Sequence, residues 1–429
     1  ALEGATFVAD ADFTGAAGVQ ITTNDLGNTG AGGALSDSDT MEIKVQAIKT
    51  SIWLSTVNDV SSPGATGLDS WTGGQMIAFG ETGGTLAFEP GTTTGTFSLA
   101  GFDLDNAAFG DSNTQLDGVH YITRDFTAGG IAVQQGDVLF STTANETLGG
   151  VAYEAGDIIL FRPTTPGDYS AGTFSLFFDK TDTGIVVEGF TLVEHDTTVG
   201  DVTLSAGELL LVNGGRDVLR FATTQLGETT SGTQSVLIDG DGGLGLGKNI
   251  SAVEVVEHTS VIGDKTLQEG TLILAVEGEE TDGTPLNVTR WDLFTLDVST
   301  TGNGTTTATA ELLLEGADVQ LDTNNEAITG ISLFPNQAPA VDGQTFAVAE
   351  NSTDGTVVGA VSATDSEGDT PQYAIIGGNT DGAFTIDVAT GQITVANSTV
   401  LDFETTPTFN LTVAAIDAKG AYGTATVTI

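Results

Sequence analysis

The chain of 429 residues has no cysteine, three histidines and only 11 lysines and arginines. Without cysteine there is neither a disulfide framework nor a thiolate metal site, so stability must come from cores, hard cations or assembly. The few basic residues stand against 58 acidic ones, a formal charge of −47. Phosphate binding needs clusters of lysine and arginine, so nucleic acid is excluded as a partner and anionic membrane surfaces are disfavoured. No run of about eighteen apolar residues occurs, which argues against membrane insertion. Amphipathic helical periodicity is also missing. So are the Gly-x-Ser-x-Gly elbow, the Gly-Lys-Ser/Thr phosphate loop and any distinct Ser-His-Asp arrangement. The chain therefore reads as a non-enzyme.

Glycine is abundant, with 58 residues, and hydrophobic residues make up 39%. Apolar residues alternate in short runs bounded by Gly, Asp, Asn and Thr, which is the signature of strands joined by tight turns. The fold class expected is all-β. The clearest boundary is Phe334-Pro335-Asn336-Gln337-Ala338-Pro339, where two prolines give a short, stiff connector. Three parts follow: an N-terminal extension at 1–40, a repeat-built domain at 41–334 and a C-terminal domain at 335–429.

The repeat is degenerate. Val193-Glu194-His195 is followed by Gly200-Asp201 and Gly207-Glu208-Leu209-Leu210-Leu211. Val256-Glu257-His258 is followed by Gly263-Asp264 and Gly270-Thr271-Leu272-Ile273-Leu274. Val119-His120-Tyr121 with Gly136-Asp137-Val138-Leu139-Phe140 is a weaker copy. A second strand type reads Asp157-Ile158-Ile159-Leu160-Phe161, Asp217-Val218-Leu219-Arg220-Phe221 and Asp292-Leu293-Phe294, with Met76-Ile77-Ala78-Phe79 as its first copy. A third includes Gly95-Thr96-Phe97-Ser98-Leu99 and Gly172-Thr173-Phe174-Ser175-Leu176. The unit is four strands over roughly 55 to 75 residues, repeated about four times. Small sheets of this kind must stack on their neighbours. Radial stacking gives a β-propeller, and stacked β-sandwiches are the alternative. Ile328 to Leu333 reads as the first strand of a further unit, which Ala5 to Phe13 could complete to close a ring. The repeat resembles one found in exported bacterial surface proteins, which implies an extracellular, repeat-built protein. The start Ala1-Leu2-Glu3-Gly4 fits what cleavage behind a small residue leaves.

The C-terminal segment places acids at the edges of its apolar runs: Ala349-Glu350-Asn351, Asp365-Ser366-Glu367-Gly368-Asp369, Leu401-Asp402-Phe403-Glu404 and Ala415-Ile416-Asp417. Strand pairing would gather them at the ends of a small sandwich. Oxygen-only donors suit Ca²⁺, which takes about six to eight of them. Grouped carboxylates would otherwise repel and raise one another's pKa.

These motifs, with Gly355 to Asp365 and the hairpin Phe384-Thr385-Ile386-Asp387 and Thr390 to Val395, resemble the cadherin domain in their order. The resemblance implies a Greek-key β-sandwich that binds Ca²⁺ at both ends. Glu350, Asp402 and Glu404 would face a following domain. Asp365, Glu367 or Asp369, and Asp417 would face the preceding one. Two departures are visible: Glu367 stands where Asp is usual, and the linker Asn336-Gln337-Ala338-Pro339 lacks the acidic pair of animal cadherins. The sequence stops at Ile429, so further oxygens for the first set would come from a neighbouring molecule or downstream sequence.

The function expected is an extracellular structural or adhesive protein, exported by a bacterium: a surface-layer, filament or adhesin subunit stiffened by Ca²⁺. Its partners would be further copies in a lattice or filament, or cell-surface glycans. A carbohydrate-binding or receptor module is the alternative, and an extracellular hydrolase the third reading. Asp10-Ala11-Asp12, Asp37-Ser38-Asp39 and Asp239-Gly240-Asp241 read as acidic turns before cation sites. His120, His195 and His258 read as strand ends before zinc or copper ligands, and Trp53, Trp71 and Trp291 as core before sugar platforms.

Overall fold

The structure, a computed structural model, describes residues 15–24, 36–45, 48–80, 86–89, 92–106, 108–109, 114–165, 167–281, 286–336, 338–365, 370–417 and 421–429. Ala5 to Phe13, Asp10 and Asp12, Glu367 and Asp369 lie outside them. Two compact units emerge. One comprises Ala1–Thr164 with Asp168–Phe334, and the other Pro335–Ile429 with Thr165–Gly167. Strands dominate throughout, and the one α-helix among the described residues is the single turn Lys180–Thr183. An antiparallel pair, Gly15–Asn24 with Ser36–Val45, precedes the repeats.

The N-terminal unit contains four sheets of four principal strands among the described residues, and the first also takes in the hairpin Ser260–Ile262 and Lys265–Leu267, which joins Ile48–Thr56 in parallel. Sheet I runs Ile328–Pro335, Ile48–Thr56, Gln75–Gly80 and Thr96–Asp103. Sheet II runs Leu116–Tyr121, Val138–Thr142, Ile158–Thr165 and Asp168–Phe178. Sheet III runs Gly189–Leu192, Leu209–Val212, Val218–Gln225 and Ser231–Ile238. Sheet IV runs Ile250–Val255, Leu272–Val276, Leu293–Thr300 and Thr307–Leu314. The strand at 328–335 thus completes a sheet whose other members lie near the start of the chain. Its partner is Ile48–Thr56.

Burial explains the two kinds of apolar run. The first strands of sheets III and IV are buried along their whole length. The last strand of sheet IV alternates between exposed and half-buried before its buried end. Apolar layers lie between successive sheets. Phe102, Phe140 and Phe161 join I to II, Ile158 and Phe221 join II to III, and Val218 and Leu274 join III to IV. A fourth layer joins Ile273 and Leu293 of sheet IV to Ile52 and Phe79 of sheet I. Trp53 stacks on Phe334 at 4.4 Å. Trp53 and Trp71 are core residues, and Trp291 packs half-buried.

The repeated acids hold turns and neighbouring strands. Asp157, Asp217 and Asp292 each accept the backbone N–H that opens the short helical turn after their sheet's last strand: Lys180 at 3.1 Å, Gly240 at 3.0 Å and Gly316 at 2.8 Å. Asp137 pairs with Arg162 at 2.6 Å and Glu208 with Arg220 at 2.7 Å, each acid lying at the start of its sheet's second strand and each arginine on the third. The Gly-Asp turns reach across to the next sheet. Thr301 N donates to Asp201 at 2.9 Å, and Phe88 N donates to Asp264 at 2.8 Å.

Polar side chains collect where the first strands meet. His120, Thr191, Glu254 and Ser332 occupy matching positions in the four sheets. The backbone pairing aligns Ile122, not Val119, with Val193 and Val256, which corrects the register of the weaker repeat copy by three residues. His120 Nε2 lies 3.3 Å from Glu194 Oε1, and its Nδ1 lies 3.2 Å from Thr191 Oγ1 and 3.6 Å from Glu254 Oε2. Glu194 accepts from Thr123 N and Arg124 N, and Glu257 from His195 N. The His195 and His258 rings meet edge to face at 4.3 Å. His120 sits apart from them, among carboxylates.

The C-terminal unit is a sandwich. One sheet orders Gln344–Thr345, Tyr422–Thr428, Asn410–Ile416 and Gln372–Gly377; the other orders Val357–Ala360, Gln392–Val395 and Phe384–Ile386. Ala340–Val341 pairs with Ala363–Thr364. Val361, Tyr373, Phe384, Ile393, Leu411 and Val413 form the core between them.

Candidate metal centre

Two loops of the C-terminal unit bring Glu350, Asp402 and Glu404 together. The first leaves the strand Gln344–Thr345, which runs parallel to the end of Tyr422–Thr428, and Phe346 N continues the pairing to Thr428 O at 2.8 Å. The chain then turns at Asn351, whose φ of 60° is the left-handed region that asparagine tolerates better than most residues. Asn351 N donates to Leu401 O at 3.4 Å, tying this turn to the second loop. That loop follows the turn Ser398–Val400 and is anchored by the buried Leu401.

One carboxylate oxygen from each of Glu350, Asp402 and Glu404 lies within 4.8 Å of the other two, and all three residues are exposed. Phe403 N donates to Glu350 Oε2 at 3.4 Å, and Glu404 N to Asp402 Oδ1 at 3.0 Å. A hydrogen bond from the Thr405 side chain, joined by backbone N–H groups, holds the Asp402 carboxyl below its ordinary pKa. A cleft of about 200 Å³ adjoins the group, with Phe346, Pro407 and the exposed Phe403 among its walls. Three carboxylates at this spacing offer a hard cation an all-oxygen partial shell, with their mutual repulsion relieved on binding. Further oxygens would be needed to reach the coordination number Ca²⁺ prefers.

The other expected set is less complete. Asp417 accepts Ala421 N at 2.9 Å and Asn336 Nδ2 at 2.8 Å, so the connector is fastened to it. Asp365 follows the strand Ala363–Thr364. Neither belongs to a group of three metal-ligating side chains among the described residues. Glu367 and Asp369 lie outside the described residues.

A second carboxylate group, Asp217, Asp239 and Asp241, also has ligand atoms within 4.8 Å of one another. Asp239 is committed to Gly242 N at 2.7 Å and Gly304 N at 2.5 Å, the pattern of an acidic turn. The repeated Asp217 and the Asp239-Gly240-Asp241 run were each visible in the sequence. Their convergence was not, because it depends on how the last strand of sheet III returns beside the third.

Known proteins resemble the C-terminal part. The profile of the Cadherin domain family matches residues 344–429. Over 85 residues, 19% of this chain, the sequence is 45% identical to protocadherin Fat 4 of Mus musculus, and the match spans 2% of that protein's length. Among solved structures, the third cadherin domain of human protocadherin 7 is 22% identical, covering 21% of this chain and 82% of that one, with a TM-score of 0.19. The chicken VE-cadherin EC1-2 structure is 25% identical, covering 32% of this chain and 64% of that one, with a TM-score of 0.19. The sequence match, the motif order and the sandwich agree, and the chain carries a cadherin-like domain at its C-terminal end.

Proposed function

We propose that this chain is an extracellular structural or adhesive protein, a surface-layer, filament or adhesin subunit, whose junctions and assembly are stiffened by Ca²⁺. The observation that carries the reading is the convergence of Glu350, Asp402 and Glu404 within a cadherin-like domain. When bound, the cation supplies charge neutralisation and a rigid bridge between oxygen ligands. The chain's own contribution is positional. Asn351 and Leu401 fix the two loops, and the backbone N–H of Glu404 orients Asp402 toward the group. Asp365, Glu367 or Asp369, and Asp417 would form the set at the opposite end. Copies of the chain meeting at Glu350, Asp402 and Glu404 would complete the shell and grow a lattice or filament.

In this reading residues 41–334 are a four-bladed β-propeller and 335–429 the calcium module. Four apolar layers between four sheets, the last joining sheet IV to sheet I, support radial stacking over stacked sandwiches. The strand at 328–335, seated in sheet I, would be the closure. No catalytic role is assigned to the chain.

Calorimetric titration with Ca²⁺ tests the site. Calcium at a hundredfold its dissociation constant should stabilise the C-terminal unit by about 2.7 kcal/mol, with Mg²⁺ and matched NaCl far less effective. Asp402→Asn and Glu404→Gln should each weaken binding at least about tenfold, the loss of one charged ligand. Unchanged affinity in both variants would remove these residues from the site.

A further inference from the structure

A cavity of about 350 Å³ opens in the N-terminal unit where the first strands of the four sheets begin. Asp117 comes from sheet II, Ser251 from sheet IV and Thr329 from the returning strand of sheet I. Glu188 immediately precedes the first strand of sheet III. Glu277 and Arg290 add to the wall.

Two strand irregularities fall at the cavity. In sheet II the register shifts between Phe140 and Thr142, so Asp117 and Gly118 together face a single residue. In sheet IV it shifts between Ile250 and Ala252, leaving Ser251 as the extra residue. Such bulges re-aim side chains and recur beside functional sites. Ser251 is 7% exposed, and its hydroxyl has no hydrogen-bond partner. A buried unpaired hydroxyl is costly unless something occupies the space before it.

The cavity's charge is also unbalanced. Its wall carries three carboxylates and one guanidinium. No ion pair among the described residues engages Asp117, Glu188, Glu277 or Arg290. Burial, with the charges of Glu188 and Glu277, pushes the Asp117 carboxyl well above its ordinary pKa, and burial with the charge of Glu277 raises Glu188. Asp117, Glu188 and Glu277 do not form a group with ligand atoms within 4.8 Å of one another. One bare metal ion therefore does not touch all three, and an extended cation with several donors suits their spread better. The volume falls in the range of small-molecule pockets, roughly 300–1,000 Å³.

We propose that this cavity binds a small organic cation: an ammonium-bearing molecule of about monosaccharide size, with its charge on Asp117, Glu188 and Glu277 and a polar group on Ser251. Calorimetry on the full chain tests it, with glucosamine and putrescine as probes and glucose as the neutral control. High NaCl suppresses loose binding to so acidic a chain. One molecule of at least one amine per chain is expected, with glucose silent. Asp117→Asn, or the exposed Glu277→Gln should the first variant fail to fold, would weaken binding about tenfold or more, and Glu404→Gln in the other unit would leave it unchanged. The proposal is overturned if neither amine binds a folded chain. It is equally overturned if both cavity variants bind like the wild type, or if Ca²⁺ or Mg²⁺ alone binds in a way that these variants abolish.

Discussion

Position 120 holds histidine where the other three sheets place threonine, glutamate and serine. Burial alone would push its imidazole pKa down, but hydrogen bonds to Glu194 and Glu254 overcome this and raise it to about 10. Its stabilising contribution is therefore complete below the ordinary value of 6.5 and is lost as pH rises through about 10. Glu254 is pushed up to about 7 by burial, against the opposing pull of His120. Its contribution is complete below 4.5 and declines as pH rises through about 7. Urea unfolding of Glu254→Gln should show a flatter pH dependence between those two values than the wild type. His120→Ala leaves Glu194 and Glu254 without their buried counter-charge and should destabilise by about 3–5 kcal/mol. A loss under about 1 kcal/mol would mean that water replaces the imidazole. The sequence showed that His195 and His258 are repeat equivalents, and their rings do meet. It did not show what surrounds His120, because Glu194 and Glu254 reach it from sheets distant in sequence.

At the scale of elements, the alternating runs were legible because period-two burial leaves its mark directly on residue order. Thr307–Leu314 is the clearest case. The Asp-hydrophobic runs at Asp157, Asp217 and Asp292 were legible as repeats, and the structure adds their reason: each carboxylate fastens a loop to the start of a strand. Pairing partners were less legible. Alternation says that Ile328 to Leu333 is a strand, but not that Ile48–Thr56 receives it, since strands of similar pattern pair equally well on paper. What selects the partner is aromatic packing, Phe334 against Trp53 and Tyr121. Phe334→Ala should thus destabilise the N-terminal unit by about 3–5 kcal/mol. Hydrogen exchange should show protection lost first along 328–335 and 48–56. Uniform loss across all four sheets would instead indicate one fully cooperative unit. In the C-terminal domain the order of motifs located Glu350, Asp402 and Glu404 on neighbouring loops. Asp417 was legible as a strand-end acid, but its bonds to Ala421 and Asn336 were not.

For the whole molecule, a charge of −47 on 429 residues makes self-repulsion a term in both folding and association. Monovalent salt should raise the melting temperature through screening, and Ca²⁺ should raise it further at equal ionic strength. A Ca²⁺ effect no larger than that of matched NaCl would reduce the cation to a counterion. The same charge opposes assembly until something neutralises it where copies meet. Light scattering of the wild type and Asp402→Asn, titrated with Ca²⁺ and reversed with EGTA, is the most direct measurement. Calcium-specific, reversible growth of the wild type into large particles, absent in Asp402→Asn, is the predicted result. An unchanged particle size in the wild type, or equal growth of the variant, would contradict calcium-bridged assembly through Glu350, Asp402 and Glu404.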